Sequence, residues 1–338
     1  MSKKPIILAI ESSCDDTSAS VSRGKKILSN IIANQEIHTK YGGVVPELAS
    51  RAHQQNIVPV VNAAIKEAKI TKNKIDAVAF TNGPGLLGSL LVGSSFAKSF
   101  SMALNIPLIS VNHMHGHILS LFIDEGQNIP KFPFLCLTVS GGHTQIVKVK
   151  NPYDMKIIGS TLDDAAGEAF DKSAKILGLP YPGGPHIQKH GEKGNKFAFT
   201  FGKPKIKELN FSFSGLKTSI KYTIEKEVNK DQNFIKNNLS DLCASIQYSI
   251  VNILVNKLEK AINITNIKEV GIAGGVSANS FLRKELKKSA NKYNYNIYIP
   301  KFEYCTDNAA MIAIAGYFKY LNKDFISQDI APSARLDF

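Results

Sequence analysis

Apolar residues in this chain come in short runs that end at polar, glycine-containing loops, and the runs recur in the same order in its two halves. Ile6 to Ile10 is followed by Ser13-Cys-Asp-Asp-Thr17, then Ala19-Ser-Val21, a turn at Arg23-Gly24, and Lys26-Ile-Leu28. Phe134 to Leu137 is followed by Ser140-Gly-Gly-His-Thr144, then Ile146 to Val149, a turn at Asn151-Pro152, and Ile157-Ile158. Short apolar runs bounded by turn residues predict strands, so each set predicts a strand, a tight Ser-x-x-x-Thr loop and returning strands. In a second pair, Ile75 to Phe80 leads through Gly83-Pro-Gly85 into a helical stretch. Its counterpart, Lys268 to Ala273, leads through Gly274-Gly275 into a helix over Ala278 to Lys287. In a third, Pro107 to Val111 leads to His113, and Asn296 to Ile299 leads to Asp307. Recurrence in this order predicts a duplicated, two-lobed α/β fold with a central cleft that brings His113 and Asp307 together from equivalent places. The expected division is lobe I over 1–130, lobe II over 131–305 with an insertion at about 163–241, and a C-terminal helix and tail over 306–338 packing back on lobe I.

The chain has 338 residues, 43% of them hydrophobic, enough for two cores. Gly, Ser, Asn and Lys interrupt its apolar stretches, which predicts none of the ~18 residues that a bilayer crossing requires. The segment before Ile6 is too short for a secretory leader, so a cytoplasmic protein without a membrane segment is expected. Cys14, Cys136, Cys243 and Cys305 are scattered without a CxxC pair, which predicts reduced thiols. The net charge of +13 lies mostly after residue 133, where Lys189, Lys193, Lys196, Lys203, Lys205, Lys207, Lys217 and Lys221 alternate with Phe197, Phe199, Phe201, Phe211 and Phe213. Such interleaving fits a polyanion whose bases stack on aromatics. Lys outnumbers Arg 37 to 4, so a merely Lys-rich composition fits as well.

The sharpest chemical signal is His113-Met-His-Gly-His117 at the end of a predicted strand. Imidazoles four residues apart on a helix lie on one face, and a distant carboxylate, Asp307, would complete three protein ligands with one open position. The spacing also fits a solvated or core-satisfied pair. The double glycines of Ser140-Gly-Gly-His-Thr144 and Gly274-Gly275 allow backbone N–H groups to approach an anion, although neither sequence is a Walker or G-x-G-x-x-G pattern. Asp171 reads either as a solvated acid or as an acceptor for ribose hydroxyls. Glu11, at the end of the first strand, reads either as a general base or as a carboxylate capping its loop.

Taken together, the motifs resemble one family, the bacterial TsaD branch of the tRNA threonylcarbamoyl-adenosine transferases in the actin and sugar-kinase ATPase superfamily. The resemblance spans the chain. It rests on Ile10 to Thr17, Tyr41 to His53, Asn82 to Leu90, His113 to His117, Val139 to Gln145, Gly167 to Lys172, Tyr181 to Pro185, Phe211 to Thr218, Gly274 to Asn279 and Asp307 to Ile312. It implies a duplicated actin-like ATPase fold, with each lobe a ribonuclease H-like motif, and transfer of threonylcarbamoyl from its adenylate to the exocyclic amine of the adenosine 3′ to the anticodon, in tRNAs reading codons that start with A. It further implies iron or zinc on His113, His117 and Asp307. The adenylate, or ATP with Mg, would lie on Thr138, Val139, Ser140, Gly141, Gly142, Asp171, Gly184 and Asn279, with Glu11 helping to remove the amine proton. The implied partners are tRNA, a degenerate TsaB-type paralogue docking on lobe I near Asn30 to Ala68, a small TsaE-type P-loop ATPase, and a synthase supplying the adenylate. Three positions depart from the family pattern: His115 where Glu is usual, Asn210 where Asp often stands, and Gln188 where an acidic or hydroxyl residue is common. A kinase-like or regulatory ATPase of the same fold is the alternative. A metallopeptidase would need the absent H-E-x-x-H.

Overall fold

The computed structural model describes residues 4–34, 41, 43–202 and 206–338. The first apolar run forms β1 (Ile6–Glu11), buried at every position. It pairs antiparallel with β2 (Thr17–Arg23), which pairs antiparallel with β3 (Lys26–Ala33). Helix α1 (Pro46–Glu67) leads to β4 (Ala77–Gly83), parallel to β1, and α2 (Leu87–Leu104) leads to β5 (Leu108–Asn112), parallel to β4. Parallel neighbours need such crossovers, which the two helices supply. Helix α3 (His113–Leu119) follows β5 without a linker.

The second half repeats this path. Strands β6 (Phe134–Val139), β7 (Thr144–Asn151) and β8 (Asp154–Ser160) form an antiparallel meander, β9 (Glu269–Ala273) lies parallel to β6, and β10 (Asn296–Tyr298) lies parallel to β9. The sheet orders, β3-β2-β1-β4-β5 and β10-β9-β6-β7-β8, are one topology read from opposite edges. The duplicated α/β fold expected from the recurring runs is present. Where the first copy has α1 between its meander and its next strand, the second has α4 (Ala166–Ile176), α5 (Gly183–Gly191), α6 (Ser214–Val228) and α7 (Phe234–Thr265). Helix α8 (Ser280–Tyr293) joins β9 to β10, and α9 (Ala309–Leu321) follows.

The chain divides into two compact units, Met1–Ile129 with Pro300–Phe338, and Pro130–Ile299. Helix α9 is apolar nearly all round and packs on β1, β2 and β4 of the first sheet. Asp307 therefore reaches His113 within one unit, and the expectation of a meeting between equivalent places in two lobes is corrected. The reason is packing: a helix with that much buried surface is placed by the sheet it covers, not by the strand that precedes it.

Three other expectations change. The 18 residues of α2 reach a mean hydropathy of 1.2, so one helix does attain the length and apolarity of a span. Its Leu90, Gly93, Ser94, Ala97 and Ser101 are buried, and it packs on α1 and β4. The interleaved aromatics are mostly core: Phe201, Phe211 and Phe213 are buried in the second unit, whereas Phe197 is 65% exposed with the Lys196 ammonium over its ring. His53 is fully buried on α1, bonded to the Thr17 hydroxyl at 2.7 Å and to the Cys14 carbonyl at 3.1 Å, so it presents no docking group. His38, Lys203 and Lys205 lie outside the described residues.

Candidate functional site

Helix α3 begins where β5 ends because Asn112 caps it. The Asn112 Oδ1 accepts from the N–H groups of Met114 at 2.9 Å and His115 at 3.3 Å. The first residue of the helix is then His113, and His117 stands one turn further on the same face, with the two rings edge to face at 4.7 Å. Asp307 is held by the start of α9. The Asn308 Oδ1 accepts from Met311 N–H, and the next two N–H groups, of Ala309 and Ala310, donate to the Ser18 hydroxyl of β2 and the Asn30 side chain of β3. The Asp307 Oδ1 consequently sits 3.1 Å from His117 Nε2 and 3.5 Å from His113 Nε2.

Glu11 backs the triad from the end of β1. It is fully buried, and both of its oxygens are engaged by protein groups. The Oε1 accepts from Ser13 N–H at 2.6 Å. The Oε2 accepts from the Thr81 hydroxyl at 2.6 Å and faces His113 Nδ1 at 3.1 Å. The loop-capping bond is thus present. With Nδ1 engaged by Glu11 and the Ser13 hydroxyl, the His113 Nε2 is the nitrogen left to face Asp307.

These residues fit a divalent cation. One donor atom from each of His113, His117 and Asp307 lies within 4.8 Å of the others. Three ligands on a tetrahedral ion with bonds of about 2.0–2.1 Å stand about 3.3 Å apart, close to the two nitrogen–oxygen separations here. Electrostatics agree. Burial disfavours a charged His113, yet the facing Asp307 and Glu11 carboxylates hold its pKa well above the ordinary 6.5. Burial pushes Glu11 and Asp307 up, but His113 beside both, with His117 beside Asp307, leaves each carboxyl below its usual range. Two buried carboxylates facing the imidazoles favour positive charge at this place, which a metal ion would supply.

Asp16, in the same loop, is pushed up to about 7 by burial first and then by Asp15, Asp307 and Glu11. An acid raised in the folded state contributes stability in full below its unfolded pKa, and that contribution is lost as the pH rises through the folded value. In the metal-free protein, Asp16→Asn is expected to add on the order of 1–3 kcal/mol at about pH 8 and almost nothing at about pH 4. Thermal unfolding at the two pH values checks this; an equal effect at both would show that Asp16 is not held protonated.

The expected nucleotide contacts lie in the second unit. The strand pairing sets Thr138 opposite Ala273, so the Ser140–His143 turn and Gly274-Gly275 open at the same end of the sheet. Gly274 has φ of 86°, and a Cβ there would collide with the Val139 carbonyl, so a glycine is required. Gly141, Gly142, Gly184 and Gly275 instead face open space: among the described residues, nothing beyond the local backbone and chain neighbours lies within 4 Å of a would-be Cβ. Thr138 and Val139 are fully buried, backbone included, so the structure gives neither an open face for a ligand. Asp171 Oδ1 accepts from Gly183 N–H at 2.7 Å, capping α5; burial raises its pKa, and the Gly183 and Gly184 N–H groups offset part of that rise. Asn279 caps α8 through Leu282 N–H and donates to Gln247 Oε1 at 2.8 Å. The helix therefore starts at Ser280, after a single 3-10 turn, rather than at Ala278.

Of the departures from the family pattern, Gln188 Oε1 accepts from Ser280 N–H, Asn210 Oδ1 accepts from Ser160 N–H, and the His115 ring meets Phe338 edge to face at 4.7 Å, away from the triad. Sequence reasoning did not find Thr81, Ser13 or Asn112. Only Asn112 carries a local signal, as a cap-type residue directly before a helix.

The sequence profile of the TsaD family, described as tRNA N6-adenosine threonylcarbamoyltransferase, matches residues 26–314. The chain belongs to this family. Proteins of the same description are 61% identical over 98% of both chains in Christiangramia forsetii and 59% identical over 99% of this chain and 98% of the relative in Riemerella anatipestifer. In Porphyromonas gingivalis the identity is 57% over 99% of each. The family is one of transferases. Among solved structures, full-length HypF covers 95% of this chain and 47% of its own length at a TM-score of 0.62 and 13% identity. Component A of the Acidaminococcus fermentans (R)-2-hydroxyglutaryl-CoA dehydratase covers 94% and 99% at 0.52 and 15%. At such identities the likeness concerns the fold, which is that of the actin-like and sugar-kinase-like ATPases.

Proposed function

We propose that this TsaD-family chain transfers the threonylcarbamoyl group from threonylcarbamoyl-adenylate to the exocyclic amine of the adenosine 3′ to the anticodon, in tRNAs reading codons that start with A. The observation that carries the reading is the convergence of His113, His117 and Asp307 within 4.8 Å, in a chain up to 61% identical to proteins of that description. The amine lone pair attacks the carbamoyl carbonyl, a C–N bond forms, and the bond from that carbon to the phosphate oxygen breaks. The electron pair leaves with AMP, and the proton lost by the amine passes to solvent. A divalent ion on His113, His117 and Asp307, iron or zinc, would supply Lewis acidity toward the acyl group.

The protein's own part is positional. Adenine's amine is a weak nucleophile, so fixed geometry and donors for the developing oxyanion carry much of the rate. The open-faced glycines at 141, 142, 184 and 275 leave room for the adenylate's phosphate against backbone N–H groups, and Asp171 and Asn279 hold the helix starts beside them. Glu11 is the carboxylate that orients His113. With its oxygens occupied by Ser13, Thr81 and His113, and its pKa lowered, it is a poor proton acceptor for the amine. Lysines supply the charge that a tRNA backbone selects. A TsaB-type paralogue, a TsaE-type ATPase and a synthase complete the proposed cytoplasmic pathway.

Labelled threonine should enter unmodified tRNA, in the adenosine beside the anticodon, when this chain is combined with the synthase and partner proteins. His113→Ala, still folded, should give none. Absence of label with the wild-type chain, when tRNA and partners are shown to be competent, would instead favour an ATPase that does not act on tRNA.

A further inference from the structure

The residues after α9 return to the metal helix. Ile326 bridges to Leu108 of β5, the Lys98 ammonium donates to the Ile330 carbonyl, and Ser333 N–H donates to the Asn82 carbonyl at 2.8 Å. Gly85 N–H then donates to the Ala334 carbonyl at 3.2 Å. Gly83, at φ of 146°, lets the tail come this close, because a Cβ there would overlap the Ser333 carbonyl. At the end of the segment the Asn112 Nδ2 donates to the Asp337 carbonyl at 2.9 Å, and the Phe338 ring lies against His115.

The Asn112 bond matters because of what the other half of that amide does. A side-chain amide has two faces, and only with its oxygen toward Met114 and His115 does it cap α3. The Asp337 carbonyl accepts only from the nitrogen, so it locks the capping orientation. Helix α3 has seven residues, too few to be stable by itself, and both candidate imidazole ligands lie on it. We propose that residues Ser333 to Phe338 are a positioning segment of the metal centre, acting through the Asn112 cap and His115 to fix the register of His113 and His117. The inference rests on the reading of the triad as a cation site.

The test is cobalt(II) titration of the metal-free full-length chain, followed by d–d absorption, alongside thermal unfolding without metal. Five proteins are compared: wild type, His113→Ala, a variant lacking residues 337–338, Asn112→Asp, and the last two changes combined. Aspartate keeps an oxygen to cap α3 but has no donor for the Asp337 carbonyl. Both tail-related variants should bind cobalt about tenfold or more weakly, as loss of outer-shell partners typically does, and combining them should add little further loss. A lowered unfolding midpoint with unchanged cobalt affinity would reduce the tail to general stabilisation and overturn the proposal. Undiminished binding by His113→Ala would overturn the triad reading itself, and the tail's role with it; loss in His113→Ala with full binding by both tail-related variants would overturn the tail's role alone.

Discussion

His117→Ala is expected to abolish stoichiometric metal binding and to lower threonylcarbamoyl transfer by at least about a hundredfold, while the fold persists. The imidazole is fully buried, and its Nε2 is 3.1 Å from Asp307 Oδ1. Its Nδ1 is buried without a hydrogen-bond partner among the described residues, so the ring is kept for its other nitrogen and not for a protein network. Removing it deletes one of three donors and leaves a cavity under a seven-residue helix, which costs some stability but spares both sheets. Metal analysis of the purified variant and a transfer assay read the two effects. Retention of one equivalent of metal would place the cation elsewhere.

The second large effect is on stability. Glu11→Ala is expected to destabilise the protein by about 3–5 kcal/mol, because it strips a buried anion from three groups at once: Ser13 N–H, the Thr81 hydroxyl and His113. Glu11→Gln keeps the volume and one acceptor oxygen, so most of the stability should return. Its amide cannot hold His113 as a carboxylate does, and metal affinity should remain lowered about 10–100-fold. Denaturant unfolding separates the two variants. If Glu11→Gln matched the wild type in metal affinity and lost only transfer, Glu11 would be acting on the substrate rather than on the ligand.

How much of this was visible in the sequence follows from distance along the chain. Periodicity placed β1, β4 and β5 and their counterparts β6, β9 and β10, because strand formation and loop type are local and were repeated. The His pair was legible because four residues span one helical turn. Asp307 came from motif resemblance and from its place after a strand. A C-terminal helix and tail over 306–338 packing back on lobe I was expected, but not the consequence that Asp307 then shares one unit with His113. Thr81 and Ser13 bond the two oxygens of Glu11, and Asn112 bonds the Asp337 carbonyl, across separations of 70, 2 and 225 residues. Residue types so common predict no such partners. The interleaved Lys and Phe run showed the opposite failure: its pattern suggested a stacking surface, but helix packing turned Phe201, Phe211 and Phe213 inward.

The return of Pro300–Phe338 to the first unit also governs timing. During synthesis, His113 and His117 leave the ribosome about 190 residues ahead of Asp307, and the complete second unit emerges between them. A nascent or truncated chain thus carries two imidazoles without their carboxylate and lacks the helix that covers the first sheet. A cation site made of His113, His117 and Asp307 can close only once Asp307 has been made, and a chain that stops short of it offers two donors in place of three.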